Sequence, residues 1–212
     1  MQPLFITGTD TDVGKTYVGS RLVKTLHEAD LAVHPYKPVE TGCTQDGNQL
    51  VPADGLQYWQ ACQQRFALQA ITPFRYQPAI SPALAAIQAG EPLHLEDLVQ
   101  AAPASDHLII EGAGGFYSPL VSDGLNADLA HCYQARILLV VRDQVGCINH
   151  TLLTLAAIQH YQLTVVAIVL NRLAAQPPEM NNVKELAQLS SVPIISTHES
   201  SDWMEQLCHC VL

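Results

Sequence analysis

A glycine-rich segment near the start of the chain has the residue types that bind phosphate. It reads GTDTDVGKT from Gly8 to Thr16, follows a short apolar run and opens a helix-like segment. In that context backbone N–H groups and a helix N-terminus face a phosphate, Lys15 supplies positive charge, and the Thr16 hydroxyl can bind Mg²⁺. The usual pattern G-x-x-x-x-G-K-[ST] would place its first glycine at position 9, where this chain has Thr9. The sequence therefore predicts a phosphate-binding loop of variant form.

A second lysine and an acidic residue follow two other apolar runs. Lys37 leaves a strand candidate in the segment YKPVETG, and Glu111 ends another in IIEGAGG. Because the carboxyl ends of parallel strands meet at one edge of a sheet, both side chains are expected near Lys15. Two lysines converging on a γ-phosphate would stabilise charge on the transferring phosphoryl group, and a carboxylate supplies the hard oxygen ligand that Mg²⁺ prefers. The chain has only four lysines, so their placement is informative.

A parallel sheet is needed to bring these residues together, and the pattern of apolar runs predicts one. Runs without polar alternation, typical of strands covered on both faces, lie at residues 4–7, 108–110, 137–141 and 165–170, with weaker candidates at 33–37 and 193–195. Helix-like patterns lie at residues 15–29, 93–102, 148–161 and 179–189. The proline-containing stretch 41–100 suggests short helices over the carboxyl edge of the sheet. The predicted fold is α/β, a doubly wound and mainly parallel sheet of the P-loop NTPase type.

Size and composition limit the possible classes of function. The 212 residues, 48% of them hydrophobic, predict a single domain over residues 1–212. A net charge of −10 argues against broad contact with nucleic acid. The first residues lack a basic head, and no stretch approaches the ~18 apolar residues of a membrane span, so we expect a cytoplasmic protein without membrane contact. Six cysteines without a CxxC pair are interpreted as reduced thiols.

Several short motifs together resemble those of the dethiobiotin synthetases. They are the phosphate loop at 8–16, KPVETG at 37–42, Ser81-Pro82, EGAGG at 111–115 and GCINHTLLT at 146–154. The resemblance implies a homodimeric enzyme that converts 7,8-diaminononanoate, CO₂ and ATP to dethiobiotin, ADP and phosphate. It also implies Mg²⁺ as the cofactor and ATP as a co-substrate.

The resemblance further implies roles for individual positions. Lys37 and Lys15 would be catalytic. The metal ligands would be Thr16, Asp54 and Glu111. The residues that bind the nucleotide and its metal would be Asp12, Val13, Gly14, Lys15, Thr16, Tyr17, Asp54, Glu111, Gly112, Ala113, Gly114, Asn171 and Arg172. The residues that bind the substrate would be Thr11, Thr41, Cys147 and Asn149, with Asp12 also on the diamine side.

Cys147 and Asn149 stand at the start of a predicted helix, whose N-terminus suits an anion. The resemblance implies that they reach the substrate carboxylate across the dimer interface. Asp54 is assigned by the resemblance alone, because no regular pattern surrounds it.

Three positions depart from the family's usual pattern. Asp12 stands where glutamate is common, and Ala83 follows Ser81-Pro82 where histidine is common. Near the expected base site, the sequence PIISTHE at 193–199 replaces a glycine and an Ile-Pro pair. Because the loop 196–199 is altered, the preference for adenine over other bases is left open.

A regulatory or positioning ATPase of the partition type is the alternative, since it shares the predicted fold and dimerises around nucleotide. Such proteins often carry a second lysine early in the phosphate loop, where this chain has Asp10. They also tend to have a membrane-binding tail or a basic DNA face, whereas residues 203–212 contain no lysine or arginine. An amide-forming ligase of the same fold would need a glutaminase domain, for which 212 residues leave no room. We therefore expect the synthetase.

Overall fold

A computed structural model describes residues 2–175, 177 and 179–212 of the chain. Met1, Gln176 and Pro178, which the predicted domain includes, lie outside the described residues. In chain order the elements are β1 (Leu4–Gly8), α1 (Lys15–Glu28), β2 (His34–Tyr36), β3 (Val39–Glu40), β4 (Thr44–Asp46), β5 (Gln49–Val51), α2 (Ala53–Ala61), α3 (Leu68–Ile71), β6 (Phe74–Arg75), α4 (Pro82–Gln88), α5 (Leu95–Gln100), β7 (Leu108–Gly115), β8 (Pro119–Val121), β9 (Gly124–Leu125), α6 (Asn126–Cys132), β10 (Arg136–Arg142), α7 (Cys147–His160), β11 (Val165–Asn171), α8 (Asn182–Ala187), β12 (Ile194–Ser196) and α9 (Trp203–Val211).

Six strands form the central sheet in the order β12-β11-β10-β1-β7-β2. Every neighbouring pair in this sheet is parallel. The chain leaves β1 toward β2 on one side and later fills the other side with β10, β11 and β12. The strand order therefore reverses beside β1, and ligands of open α/β sheets bind in the crevice at such a point.

The apolar runs of the central strands are buried on both faces. Along β1, Leu4 and Ile6 pack with Val18 and Leu22 of α1 in one core cluster. Phe5 points to the opposite face and packs with Ile110 in a second cluster. Successive residues of a strand alternate between faces, so both faces need helices to cover them. The predicted doubly wound sheet is confirmed.

The predicted strands are all present, including the two weaker candidates, which correspond to β2 and β12. Two predicted helices are shorter than expected, because polar side chains set where they begin. Asp97 accepts a hydrogen bond from the N–H of His94 at 2.8 Å, so the helix predicted from residue 93 begins as α5 at Leu95. Asn181 accepts from the N–H of Lys184 at 2.8 Å and caps α8, where the prediction had begun at residue 179.

The stretch 41–100 contains four short helices, as predicted, together with short strands. None of the helices in the described part of the chain has the length and hydropathy needed to cross a bilayer. All six cysteines are free thiols, as the sequence predicted.

Candidate active site

A cavity of about 400 Å³ opens beside the carboxyl ends of the strands that flank the topological reversal. The residues that line it are Thr11, Asp12, Gly14, Lys15, Thr16, Lys37, Val39, Glu40, Thr41, Asp54, Glu111, Ala113 and Gly114. Eleven of these were predicted as site residues, and Val39 and Glu40 were not. The structure thus brings together the phosphate loop, the second lysine and both predicted carboxylates.

The early glycine of the phosphate loop has a steric reason. A Cβ atom at Gly8 would lie 2.6 Å from Cγ2 of Val13 and 2.9 Å from the carbonyl oxygen of Asp10. The loop folds back so closely on the end of β1 that only glycine fits at position 8. Thr9 can therefore replace the first glycine of the usual pattern. Asp12 adopts a left-handed conformation with φ of 56°, which aspartate tolerates better than most residues.

The two lysines of the cavity have different surroundings. Lys15 is buried and its Nζ donates to the carbonyl oxygen of Asp10 at 3.0 Å. Burial, and after it the positive charge of Lys37, lower the pKa of Lys15 to about 8. Negative charge on a bound phosphate would stabilise the protonated form of Lys15, so the loop is electrostatically prepared for an anion.

Lys37 is held by two carboxylates. Its Nζ lies 2.7 Å from Oε1 of Glu111 and 3.2 Å from Oδ2 of Asp54, and it also donates to the carbonyl oxygen of Gly112 at 3.2 Å. Burial acts to lower the pKa of Lys37, but the charges of Glu111 and Asp54 outweigh it and raise the pKa above its usual value. Lys37 therefore remains a fixed positive charge in the cavity.

Three oxygen donors in the cavity fit a magnesium ion. The hydroxyl of Thr16 donates to Oε1 of Glu111 at 2.8 Å, so these two groups are already in contact. Burial acts to raise the pKa of Asp54, but the positive charge of Lys37, more than any other group, lowers it, which keeps this carboxylate ionised. Mg²⁺ is commonly held by one or two carboxylates, with phosphates and water completing its shell. Among the described residues, no group of three or more His, Cys, Asp or Glu side chains is arranged to hold a metal ion by itself.

Glu40 is a buried carboxylate of the cavity that the sequence analysis missed. Its two oxygens accept hydrogen bonds from the N–H groups of Asp54 and Gly55, both at 2.9 Å. These are among the first N–H groups of α2, which Pro52, the residue before the helix, does not cap. Glu40 thus caps α2 from a distance and fixes the backbone that carries Asp54. The neighbouring motif KPVETG contained it, but no local pattern indicated a capping role.

Asn126 is a second buried residue that sequence reasoning did not identify. Its Oδ1 accepts from the N–H of Ala113 at 3.0 Å, and its Nδ2 donates to the carbonyl oxygens of Ala113 and Gly115 at 2.7 and 2.9 Å. A Cβ at Gly112 would lie 2.5 Å from Asn126 Oδ1. Asn126 therefore holds the glycine-rich segment after Glu111 in one conformation.

Two of the predicted nucleotide-binding residues, Asn171 and Arg172, form hydrogen bonds or ion pairs with other parts of the protein. Asn171 donates from Nδ2 to the carbonyl oxygen of Val13 at 3.0 Å, and its Oδ1 accepts from the Thr197 hydroxyl at 3.2 Å. A Cβ at Gly14, where φ is 96°, would lie 2.0 Å from Asn171 Nδ2, so glycine is required there. Arg172 forms an ion pair with the buried carboxylate of Asp143 at 2.8 Å and does not line the cavity. The buried side chain of Val13 leaves only its backbone for the nucleotide.

Tyr17, also predicted to bind nucleotide, lies outside the cavity on α1 and is 38% exposed. The guanidinium carbon of Arg21 lies 3.7 Å from the centroid of its ring. The ring also stacks with Trp203 of α9 at a centroid distance of 6.3 Å. In this structure Tyr17 therefore contacts Arg21 of α1 and Trp203 of α9, and it does not line the cavity.

The two residues predicted at the start of α7 lie away from the cavity. Cys147 is 2% exposed and packs in a core cluster with Leu139 and Val141. Asn149 is exposed, and neither residue lines the cavity in the described part of the chain. Any role of Cys147 in binding is thus confined to its backbone.

Known proteins with similar sequences share one named activity. The family model of the AAA domain matches residues 2–202. An ATP-dependent dethiobiotin synthetase of Vesicomyosocius okutanii is 36% identical over 92% of this chain and 89% of its own length. The enzyme of the same name from Halalkalibacterium halodurans is 36% identical over 92% of this chain and 83% of its own. That of Pseudoalteromonas translucida is 32% identical over 98% and 94%.

Solved structures share the architecture at low sequence identity. A ParA family ATPase from Chlorobium tepidum superposes with a TM-score of 0.52 and covers 97% of this chain and 88% of that one. Its sequence is 10% identical, so the likeness concerns the fold alone.

Proposed function

The chain belongs to the family of ATP-dependent dethiobiotin synthetases, and from this premise we propose that its cavity closes the cyclic urea of dethiobiotin. Membership makes it an ATP-dependent ligase of biotin biosynthesis. The proposed substrates are 7,8-diaminononanoate, CO₂ and ATP. The observation that carries the proposal is the convergence of Lys15, Lys37, Thr16, Asp54 and Glu111 on one cavity beside the phosphate loop.

The proposed reaction has three steps. An uncharged amine of the diamine attacks CO₂ and loses a proton, which gives a carbamate. A carbamate oxygen then takes the γ-phosphoryl group of ATP, and ADP leaves. The second amine attacks the carbonyl carbon, the C–O bond to phosphate breaks, and the ring closes with release of inorganic phosphate and a proton.

Each step carries negative charge that the cavity can offset. Lys15 and Lys37 would contact the phosphates, and preorganised cations stabilise a transferring phosphoryl group. Thr16, Asp54 and Glu111 would hold Mg²⁺, which would supply positive charge to offset that of the phosphates. Because Lys37 already bonds Glu111 and Asp54, its ammonium is oriented before any substrate arrives.

The diamine is proposed to lie on the side of the cavity formed by Thr11, Asp12 and Thr41. Its carboxylate would extend to the N-terminus of α7 in a second subunit, where backbone N–H groups and Asn149 would bind it. The exposure of large apolar side chains around that helix supports a subunit contact, since Val145 is 81% exposed and Leu153 is 63% exposed. We propose a homodimer on this ground.

ATP is the co-substrate of the family, and its base is proposed to lie near Asn171 and the loop that follows β12. The hydroxyl of Thr197 joins these two segments through Asn171 Oδ1 and the N–H of Arg172. A polar loop of this kind could accept more than one base, so the base selectivity is part of the test.

The test is an assay of the purified protein with Mg²⁺, bicarbonate and the diamine, offered ATP, CTP or GTP in parallel. We expect phosphate release that depends on the diamine, matched by dethiobiotin detected by mass, and lost in a Lys37→Ala variant. Nucleotide turnover that ignores the diamine would reject the synthetase and favour a switch ATPase of the partition type. Sedimentation equilibrium of the wild type and of Leu153→Glu tests the proposed dimer.

A further inference from the structure

A fully buried tyrosine on α2 touches one of the proposed metal ligands. Tyr58 is 1% exposed, and its hydroxyl donates to Oε2 of Glu111 at 2.5 Å. The donor comes from a helix 53 residues away in sequence, so no local pattern predicted the contact.

The two oxygens of Glu111 are occupied by different donors. Oε1 accepts from Lys37 at 2.7 Å and from Thr16 at 2.8 Å, whereas Oε2 accepts from Tyr58. Donors on both oxygens fix the rotation of a carboxylate about its terminal bond. Tyr58 therefore directs Oε1, the oxygen on the lysine and threonine side, toward the cavity.

Helix α1 makes room for this tyrosine at a specific position. A Cβ atom at Gly19 would lie 2.0 Å from the Tyr58 hydroxyl and 3.0 Å from its Cζ. Gly19 is the fifth residue of α1, and glycine inside a helix is less stable than alanine. The helix therefore contains a destabilising residue at the one place where the phenol must pass to reach Glu111.

We propose that Tyr58 is a positioning residue for the metal site, which it serves by orienting the Glu111 carboxylate through the gap left by Gly19. The inference rests on the proposed function, in which Glu111 binds Mg²⁺. Removal of a group that orients a metal ligand usually lowers metal affinity or activity about 10- to 100-fold.

The test compares Tyr58→Phe with Tyr36→Phe. The matched control also removes a buried phenol hydrogen bond, because Tyr36 donates to the carbonyl oxygen of Leu98 at 2.6 Å. Binding of Mn²⁺ in the presence of ADP is measured by electron paramagnetic resonance, and the Mg²⁺ concentration for half-maximal turnover is measured alongside. For Tyr58→Phe we expect the Kd for Mn²⁺ and the Mg²⁺ concentration for half-maximal turnover both to rise roughly tenfold. The KM for the diamine should be unchanged. Tyr36→Phe is expected to match the wild type.

Gly19→Ala provides a second variant, since its methyl group would displace the phenol without altering Tyr58 itself. It should weaken Mn²⁺ binding in the same direction as Tyr58→Phe. Wild-type Mn²⁺ affinity in both variants would overturn the positioning role.

Glu111→Gln separates this inference from the proposed function. If Glu111→Gln also binds Mn²⁺ like the wild type, the metal assignment itself fails, and the positioning role with it. If Glu111→Gln loses Mn²⁺ while Tyr58→Phe retains it, the metal site stands and only the role of Tyr58 is rejected. Absence of dethiobiotin in the wild-type assay would reject the proposed reaction without changing either metal measurement.

Discussion

The part of the cavity beside the phosphate loop, here called the phosphate end, contains Thr16, Lys37, Asp54 and Glu111. It differs from the start of α7 in how completely it is formed by one chain. At the phosphate end, Lys37 lies 2.7 Å from Glu111 and 3.2 Å from Asp54, and the Thr16 hydroxyl completes the cluster at 2.8 Å from Glu111. At the start of α7, Cys147 is buried in the core and Asn149 is exposed to solvent. Charge stabilisation requires dipoles and ions that are already in place, and the phosphate end meets that requirement within one chain. In the proposed function, recognition of the far end of the substrate is left to a second subunit.

The largest expected effect tests the phosphate end. Lys37→Ala should lower turnover by roughly 10³-fold or more, because removal of a preorganised cation at a phosphoryl group costs this much in related chemistry. It should also lower the melting temperature, because Glu111 and Asp54 lose their shared counter-charge. Lys184→Ala, at an exposed position on α8, is the control and should match the wild type. Turnover within tenfold of the wild type would show that the lysine only stabilises the fold.

A smaller effect is expected from the remote cap of α2. Glu40→Ala leaves the N–H groups of Asp54 and Gly55 without their acceptors, which should cost about 1–2 kcal/mol of unfolding free energy. Because Asp54 then loses its fixed position, the Mg²⁺ concentration for half-maximal turnover should rise about tenfold. Urea unfolding and a Mg²⁺ titration of turnover measure the two effects.

Asn181→Ala is the matched control for Glu40→Ala, since Asn181 caps α8 away from the cavity. It should reduce stability without changing the Mg²⁺ dependence. A rise in the KM for the diamine, with unchanged Mg²⁺ dependence in Glu40→Ala, would instead make Glu40 a substrate contact.

The start of α7 is tested by Asn149→Ala. Loss of one hydrogen bond to a carboxylate, worth about 1 kcal/mol, should raise the KM for the diamine roughly fivefold and leave the KM for ATP unchanged. If Asn149 acts across a dimer interface, mixing Asn149→Ala with Lys37→Ala should restore one site that has both residues intact. An unchanged KM for the diamine would remove this helix from the substrate site.

The smallest expected effect concerns a region that belongs to neither end. His34 is buried on β2, stacks on Phe66 at a centroid distance of 3.8 Å, and has no hydrogen-bond partner for Nε2 among the described residues. Burial, and after it the neighbouring His27, lower the pKa of His34 to about 4. An unfolded histidine has a pKa of about 6.5, so the unfolded chain binds more protons between these two values.

Stability should therefore fall as the pH decreases from about 7 toward 4. Melting temperatures over this range should decline less in His34→Phe than in the wild type, by roughly a few degrees. His131→Gln, at an exposed position, should follow the wild type. Parallel curves for His34→Phe and the wild type would show that other groups control acid unfolding.

Prediction from the sequence succeeded where the residues of the site are contiguous in the chain. The phosphate loop from Gly8 to Thr16 contains its own backbone donors, lysine and hydroxyl, and the apolar runs specified a sheet buried on both faces. Lys37 and Glu111 could be placed beside the loop because each follows an apolar run predicted as a strand. In the structure Lys37 does follow β2, whereas Glu111 lies within β7, which continues to Gly115. The early glycine was recognised as a departure, but its cause, the close packing of Val13, required the structure.

The sequence by itself determined the parallel α/β sheet, the phosphate loop and the edge of the sheet at which Lys15 and Lys37 lie. These features depend on local pattern and strand direction. Only the tertiary structure decided that Glu40 caps α2 beneath Asp54, that Tyr58 reaches Glu111 past Gly19, and that the Cys147 side chain is buried. These contacts join residues whose separation along the chain carries no periodic signal. They depend on how α2 and α7 pack, and packing is set by the combined shape of many side chains rather than by any one segment.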